Sequence, residues 1–419
     1  MKAVRRAMLS SAVGNALEWF DFVVFGFFST YLVAAYFPAA DPFVARLLAV
    51  STFAIAFVVR PVGGLVLGRF ADKAGRRPAL ALMMGMMGVA TLLIGLTPAY
   101  AAIGTLAPVV IVLARILQGF SVGGEFSGST SLMVELAPDG KKLLFGSFQA
   151  STQALAIAAA ALMGYALARW MPAQALAEWG WRIPFVLGAL VAPLGYYIRY
   201  RLIESPAYRQ HDAPDSIGAS LKENAGQLVA SFGMVAATTA SNYVWAIYLP
   251  MSVAQKAGLP FASALLGLSV SCLVAALACP FAGALADRID ARKIFAAGVV
   301  LFTLATWPLL AYVVEAPSMQ RLVVAQVCVS LVASLFWGSG PGMMAQMFPP
   351  GSRSTGMAVS QNVAVMLFGG LAPLLLTVLV AKTGNRMVPA GYLTLTGAIC
   401  LVALFAAVGK RPKRHGGKT

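Results

Sequence analysis

Long apolar runs, separated by short polar or charged breaks, dominate the chain. Most of them reach about 20 residues, which is the length that a helix needs to cross a bilayer. The pattern therefore predicts an all-α polytopic membrane protein with twelve transmembrane helices. We place the helices near 8–37, 46–67, 79–97, 105–133, 143–168, 183–201, 224–250, 261–285, 294–314, 320–347, 354–380 and 389–409.

One long polar stretch, 202–223, divides the apolar runs into six and six. We therefore predict an amino-terminal six-helix bundle over 1–201 and a cytoplasmic linker over 202–223. A second six-helix bundle over 224–419 would end in a short basic cytoplasmic tail. A repeated loop supports this division, because G-R-F-A-D-K-A-G-R-R begins at Gly68 and G-A-L-A-D-R begins 215 residues later at Gly283. The same loop after the second helix of each half indicates a duplication, so we expect two pseudo-symmetric halves.

Composition and charge agree with a membrane protein. Of 419 residues, 59% are hydrophobic and 11% are charged, which is less than half the charged fraction of a soluble chain. The net charge of +16 lies mostly in the breaks between apolar runs, so it indicates membrane topology and not nucleic-acid binding. If the amino terminus is cytoplasmic, the inside segments hold 22 of the Lys and Arg residues and the outside segments hold 7. We predict that both termini are cytoplasmic.

Residues for enzymatic or metal chemistry are sparse. The four cysteines all fall in apolar runs without metal-ligand spacing, and both histidines, His211 and His415, lie in polar segments. No Ser/Lys cluster and no G-x-x-x-x-G-K nucleotide loop is present. We therefore expect neither an enzyme nor an ATP-driven pump, with no metal and no cofactor. A membrane receptor that binds its ligand without flux is the remote alternative.

The first apolar run carries two acids, Glu18 and Asp21, within N-A-L-E-W-F-D-F-V-V-F-G-F-F at 15–28. Between Met8 and Phe37 no other residue is charged. The two acids share one face of a helix because they are three residues apart. Since carboxylates facing lipid are costly, we expect them to face a cavity or the protein interior and to carry a proton or hold a cation. The alternative is that both only fix helix packing through hydrogen bonds.

The fourth apolar run carries Arg115, Gln118 and Glu125. Arg115 is about ten residues from the outer end, which places it about 15 Å deep. An unpaired arginine at that depth is costly, so we expect Asp21 or Glu18 to pair with it. An incoming carboxylate would then compete for the arginine, and the released acid would take a proton. The alternative is a static ion pair that only joins two helices.

Several motifs resemble one family of transporters. The loop G-x-x-A-D-x-x-G-R-R resembles the signature of the major facilitator superfamily. Four more stretches are similar to its metabolite:proton symporter family: N-x-x-E-W-F-D-F at 15–22, R-P-V-G-G at 60–64, R-I-L-Q-G-F-S-V-G-G-E at 115–125 and E-W-G-W-R-I-P-F at 178–185. T-W-P at 306–308 and F-G-G-L-A-P from 368 resemble the bacterial citrate–proton and tricarballylate transporters. The resemblance implies the major facilitator fold and transport by rocking of the two halves.

The resemblance also implies a cytoplasmic gate, in which the loop aspartate caps a helix of the opposite half. A basic anchor for membrane topology is the alternative. In the second copy of the loop, Asp290 and Ala291 stand where Gly and Arg are expected, so we expect a weaker or differently paired contact there. The predicted gate residues are Gly68, Asp72, Gly75, Arg76, Arg77, Asp287 and Arg288.

The predicted function is proton-coupled symport of a small organic acid, a tri- or dicarboxylate such as citrate, by a monomer in the bacterial cytoplasmic membrane. Uptake of a zwitterionic osmolyte such as betaine or proline is the alternative, and sodium in place of the proton stays open. The apolar runs of the second half hold almost no charge, so the proton-coupling residues are Glu18, Asp21, Arg115 and Glu125. The predicted substrate-binding residues are Arg115, Gln118, Asn15, Arg60, Gln149, Gln153, Asn242, Tyr243, Trp337 and Gln361.

Overall fold

The computed structural model describes residues 2–37, 42–200, 217–256 and 261–406. Twelve long helices run through these residues, which confirms the predicted helix number and fold class. We number them in chain order: α1 Lys2–Tyr36, α2 Pro42–Ala74, α3 Arg76–Leu96, α4 Leu106–Glu135, α5 Lys142–Trp170, α6 Ile183–Tyr200, α7 225–256, α8 Phe261–Arg288, α9 Ala291–Glu315, α10 Met319–Met347, α11 353–383 and α12 Val388–Ala406. Short helices, Tyr100–Ile103, Ala173–Glu178 and Ile217–Glu223, lie in the connections.

Ten stretches are long and apolar enough to cross a membrane by length and composition, and they correspond to every numbered helix except α6 and α7. Helix α7 is divided into Ala225–Asn242, a π-helical segment Tyr243–Tyr248 and Leu249–Lys256. Helix α11 has the same form, with a π-helical segment at Met366–Gly370. Helices suit this environment because lipid offers no hydrogen bonds to the backbone, so each segment must satisfy its own N–H and C=O groups.

Contacts between the first six and the last six helices are concentrated in a few pairs. Helix α5 packs along α8 and α10, and α2 packs along α11. Within the first six helices, α4 packs against α2 and α3, and α1 packs against α5 and α6. Within the last six, α7 packs against α12, and α10 packs against α8 and α9. The division of the chain into two folding domains stays a prediction.

Glycines allow α2 and α4 to pack with their backbones in contact. A Cβ atom at Gly63 would overlap the Phe120 carbonyl, and one at Gly119 would overlap the Ala56 carbonyl. These glycines belong to the R-P-V-G-G and R-I-L-Q-G motifs of the sequence. Close packing of small residues is the usual way in which membrane helices associate, so both motifs hold Arg60 and Arg115 on adjoining helices.

Two predicted segments fall largely outside the described residues. The predicted linker 202–223 is described only from residue 217, where the short helix Ile217–Glu223 begins. The basic tail after residue 406 lies outside the described residues altogether.

Candidate functional site

A central cavity of about 100 Å³ lies between helices of the first six and the last six. Its lining holds five of the predicted substrate-binding residues: Gln153, Asn242, Tyr243, Trp337 and Gln361. Among the described residues, the lining includes no charged side chain. Aromatic rings and neutral polar groups that the sequence analysis did not select complete the wall, among them Trp19, Phe126, Trp245, Ser271, Cys272, Gln326 and Ser330.

Arg115 lies behind this wall and is fully buried. Its guanidinium donates to Gln118 Oε1 at 2.8 Å and to the backbone carbonyls of Thr52 and Phe53 at 3.4 and 3.2 Å. It also packs over the Phe25 ring, 3.9 Å from the ring centroid. Arg115 is therefore held by neutral acceptors and aromatic faces, which suit a buried guanidinium.

The expected ion pair between Arg115 and an acid of α1 is not formed. Within the described ranges, Arg115 forms no ion pair. A hydrogen-bond chain replaces it. Arg115 donates to Gln118, Gln118 Nε2 donates to Thr91 Oγ1 at 3.3 Å, and Thr91 Oγ1 donates to Asp21 Oδ2. Sequence analysis missed Thr91, since a single threonine in an apolar run gives no pattern.

Asp21 is buried, with 3% of its surface exposed. Its second oxygen, Oδ1, accepts no hydrogen bond from the described part of the chain. That oxygen lies against Gly188 of α6, where an added Cβ would overlap it. The carboxyl group therefore has one oxygen at the end of the hydrogen-bond chain and one oxygen free to take a proton.

Glu18 and Glu125 lie together beside a second, smaller cavity of about 10 Å³, which Ser121 and Met83 also line. Their exposed fractions are 5% and 4%. The structure thus brings Glu18 of α1 and Glu125 of α4 to one place. This cavity is distinct from the central one in its lining residues.

Arg60 is buried in the middle of α2, with 4% of its surface exposed. Its guanidinium packs over the rings of Phe22 and Phe57, at 4.4 and 4.9 Å from their centroids. It lies within electrostatic range of Glu18 and of the Tyr243 hydroxyl. Tyr243 also lies within electrostatic range of Arg115 and lines the central cavity, so it links the cavity to both arginines.

Asn15 and Gln149 join α1 to α5 and do not line the central cavity. Asn15 Nδ2 donates to the Gln149 carbonyl at 2.9 Å and to Thr152 Oγ1 at 2.7 Å, while Gln149 Nε2 donates to Asn15 Oδ1 at 2.8 Å. Ser129 of α4 donates to Gln149 Oε1 at 3.1 Å. This network satisfies the two amide side chains within the helix interface.

The first copy of the repeated loop caps a helix of the other six. Asp72 accepts from the backbone N–H groups of Ser354 and Thr355, at 3.2 and 2.8 Å, and from Thr355 Oγ1 at 2.6 Å. These are the first N–H groups of α11, where a negative charge is favourable. Gly68 belongs to the same interface, because a Cβ atom added to it would lie 3.1 Å from the Thr355 Cα.

An ion-pair network extends this contact. Arg76 donates to Asp72 at 2.5 Å and to Glu135 at 3.3 Å, and Arg353 donates to Glu135 at 2.8 Å. The chain Asp72–Arg76–Glu135–Arg353 joins α2, α3, α4 and α11. Sequence analysis did not select Glu135 and Arg353, although opposite charges at adjacent helix ends are a usable signal.

Two further residues of the predicted gate, Gly75 and Arg77, lie in the first loop. Gly75 has a φ of 107°, a conformation that favours glycine, and begins α3. Arg77 is partly exposed beside it.

The second copy of the loop forms an equivalent but simpler contact. Asp287 accepts from the N–H groups of Leu143 and Leu144, the first residues of α5, at 2.9 and 2.8 Å. Asp290 caps its own helix by accepting from Arg292 N at 2.9 Å. Arg288 is exposed and, in the described part of the chain, forms no ion pair.

This architecture of twelve helices around a central cavity, with capped helix contacts between the first six and the last six, is that of a multi-pass membrane transporter. The chain belongs to the major facilitator superfamily, because a model described as "Sugar (and other) transporter" matches residues 7–220 and one described as "Major Facilitator Superfamily" matches residues 230–419. Its family members transport solutes and are not enzymes.

Individual proteins are similar over nearly the whole chain. A citrate-proton symporter of Salmonella typhi is 35% identical over 97% of this chain and 94% of its own length. An ectoine/proline transporter of Corynebacterium glutamicum is 34% identical over 96% of this chain and 84% of its own length. A solved structure of a proton:xylose symporter has a TM-score of 0.79 at 16% identity and covers 97% of this chain and 96% of its own, which shows the shared fold.

Proposed function

We propose that the protein imports a tri- or dicarboxylate such as citrate together with protons. The likeness to a citrate-proton symporter supports the substrate class. The observation that carries the coupling is Asp21, a buried carboxyl group with a free oxygen at the end of a hydrogen-bond chain from Arg115. An ionisable group kept inside the membrane-crossing part of a protein is a functional candidate because its burial is costly.

All donors in the chain from Arg115 point toward Asp21. Arg115 polarises Gln118, Gln118 supports Thr91, and Thr91 supports the carboxylate, so each bond strengthens the next. A substrate carboxylate that binds Arg115 competes with Gln118 for its N–H groups. Loss of this first donor weakens the support of ionised Asp21, and the carboxyl group takes a proton at Oδ1. Substrate binding and proton binding are thereby coupled without a direct Arg115–Asp21 pair.

The substrate carboxylates must reach Arg115 and Arg60 from the neutral cavity. Phe22 packs on both guanidinium groups, with its ring centroid 4.4 Å from Cζ of Arg60 and 5.0 Å from Cζ of Arg115, and Tyr243 lines the cavity. A small shift of these rings would open the path. Protons that enter with the anion offset its charge, which otherwise opposes entry into an inside-negative cell by about 2.3 kcal/mol per charge per 100 mV.

The capped contacts at Asp72 and Asp287 act as the cytoplasmic gate in this proposal. We place the protein in the bacterial cytoplasmic membrane as a monomer, with both termini in the cytoplasm and with 1–201 and 224–419 as the two moving domains. Opening of the cytoplasmic side requires the N-terminal ends of α11 and α5 to leave the two aspartates. Transport then follows by alternating access around the central cavity.

Uptake by the purified protein in proteoliposomes tests the proposal. Labelled citrate should accumulate when the exterior is acidic, and a sodium gradient at equal pH should not support accumulation. Accumulation driven by sodium alone would contradict proton coupling. Absence of citrate uptake under both gradients would contradict the substrate assignment.

A zwitterionic osmolyte is the second candidate. The neutral, aromatic lining of the cavity favours it, since aromatic faces bind quaternary ammonium groups. The likeness to an ectoine/proline transporter supports it as well. Labelled glycine betaine in the same proteoliposomes separates the two, because only one of the two solutes should accumulate.

A further inference from the structure

Two buried polar atoms at the wall of the central cavity have no hydrogen-bond partner among the described residues. They are Oε1 of Gln326 on α10 and Nε1 of Trp245 on α7. Both residues line the cavity, and only 2% and 3% of their surfaces are exposed. Since nearly all buried polar groups in proteins are hydrogen-bonded, two unsatisfied atoms at one cavity indicate a ligand that satisfies them.

The orientation of the Gln326 amide is fixed by its one partner. Its Nε2 donates to the Trp245 backbone carbonyl at 2.7 Å. A carbonyl can only accept, so the NH₂ group must face it and Oε1 is the acceptor left over. Trp245 lies in the π-helical segment Tyr243–Tyr248, and such segments are frequent at functional sites. The hydrogen bond therefore links Gln326, which carries the free acceptor, to Trp245, which carries the free indole N–H.

Helix α8 approaches this acceptor without bonding to it. Gly267 has no side chain, and a Cβ added there would lie 3.9 Å from Gln326 Oε1 and would overlap Val323. Ser271, one turn further along α8, lines the cavity, but its hydroxyl donates to the Leu268 carbonyl at 2.9 Å. Neither residue of α8 supplies a donor to Gln326.

The two free atoms are complementary to a hydroxyl group. Glutamine Oε1 only accepts and an indole N–H only donates, whereas a hydroxyl can donate one hydrogen bond and accept another. An ionised carboxylate has acceptors alone and would leave Oε1 unsatisfied. A trimethylated amine has no donor at all.

We propose that Gln326 and Trp245 form a subsite for the hydroxyl group of a hydroxycarboxylate. This inference rests on the proposed carboxylate symport and narrows its substrate to acids that carry an alcohol group, such as citrate. The subsite distinguishes citrate from tricarballylate, which has the same three carboxylates and lacks the hydroxyl. A site built to bind a hydroxyl rejects the analogue without it, because the buried partners are then left unpaired.

Competition in proteoliposomes tests the subsite. Uptake of labelled citrate under an acidic exterior is measured against unlabelled citrate or tricarballylate, which gives the ratio of the two inhibition constants. Wild-type protein should bind tricarballylate at least about tenfold more weakly than citrate. Gln326→Met keeps the length of the side chain without the acceptor, so it should weaken citrate binding about tenfold and should not weaken tricarballylate binding.

Gln346→Met is the matched control, because Gln346 lies on the same helix, is exposed and does not line the cavity. It should keep the wild-type ratio. Trp245→Phe removes the indole donor and keeps an aromatic ring, so it should also reduce the preference for citrate over tricarballylate. If Gln326→Met does not fold, Trp245→Phe is the variant that tests the subsite.

Three results would overturn the inference. Equal inhibition by the two acids in wild-type protein contradicts the subsite and leaves the proposed symport intact. An equal loss of affinity for both acids in Gln326→Met does the same. Failure of wild-type protein to take up either acid contradicts the symport itself, and the subsite with it.

Discussion

Helices α1 to α6 and helices α7 to α12 enclose the same cavity, yet they bury different chemistry. Among the described residues, the first set buries eight charged side chains: Glu18, Asp21, Arg60, Asp72, Arg76, Arg115, Glu125 and Glu135. The second set buries Arg353 alone, at the end of α11 that contacts Asp72. It offers the cavity aromatic rings and neutral amides instead. In our proposal, the first set therefore supplies the proton-coupling groups and the positive charge for the substrate, and the second set supplies neutral hydrogen-bonding and aromatic groups.

The two copies of the loop repeat this asymmetry. Asp72 caps α11 and belongs to an ion-pair network of four residues, whereas Asp287 accepts only two backbone hydrogen bonds from the residues that the structure describes. In the second copy, Ala291 follows the loop where the first has Arg76, so no basic partner is available at that position. Both copies of the loop therefore cap a helix, but within the described ranges the charged network occurs in the first copy alone.

The largest effect is expected at Asp21. Asp21→Asn cannot take a proton, so accumulation of labelled citrate under an acidic exterior should fall about 100-fold, in line with loss of an essential proton-transfer group. Citrate exchange across the membrane without a gradient should persist. Glu178→Gln is the control, because Glu178 is exposed outside the long helices. Accumulation by Asp21→Asn at the wild-type level would remove Asp21 from the coupling.

The second-largest effect on transport is expected for loss of Arg115, which lies behind the wall of the central cavity. Arg115→Gln removes the charge that attracts the substrate and the first donor of the chain, so the KM for citrate should rise about 30-fold, which corresponds to roughly 2 kcal/mol. Initial uptake rates over a range of citrate concentrations measure it. Arg169→Gln, at the exposed end of α5, should keep the wild-type KM. An unchanged KM in Arg115→Gln would assign Arg115 to helix packing.

The two gate contacts should differ in strength. Asp72→Asn breaks a buried ion pair and should destabilise the capped contact by about 3 kcal/mol. Asp287→Asn weakens two hydrogen bonds and should cost about 1 kcal/mol. Hydrogen exchange of the amides of Ser354 and Thr355, compared with those of Leu143 and Leu144, measures both. Equal acceleration of exchange in the two variants would contradict the asymmetry of the loops.

The smallest effect is expected in the neutral wall of the cavity. Gln361→Ala removes one hydrogen-bonding side chain and should raise the KM for citrate by about fivefold, or about 1 kcal/mol. The ratio of protons to citrate should stay unchanged, because α11 carries no coupling residue in our proposal. Simultaneous flux of citrate and protons measures that ratio. A changed ratio would show that the last six helices take part in coupling.

Much of the fold could be predicted because lipid imposes a simple rule on the sequence. A helix that crosses a bilayer needs about 20 mostly apolar residues, so runs of hydrophobic residues marked all twelve helices. The cap at Asp72 was also expected, from a resemblance carried by G-x-x-A-D-x-x-G-R-R. The structure provides the partners Ser354 and Thr355, which lie 282 and 283 residues away.

The arrangement of buried polar residues could not be predicted in the same way. Charge complementarity favoured a direct ion pair between Arg115 and an acid of α1, but Gln118 and two backbone carbonyls accept the hydrogen bonds of the guanidinium instead. Neutral groups such as Thr91 and Gln326 are hard to select, because a single polar residue in an apolar run is as compatible with packing as with binding. Their positions follow from helix packing, which the hydrophobic pattern does not specify.

The central claim is that Asp21 carries the proton that enters with the substrate. A pH-sensitive dye inside proteoliposomes, with the membrane potential clamped and no pH gradient imposed, measures it directly. Addition of citrate outside should acidify the lumen with wild-type protein and should leave the lumen pH constant with Asp21→Asn, although labelled citrate still exchanges. Equal acidification by the two proteins would contradict the claim.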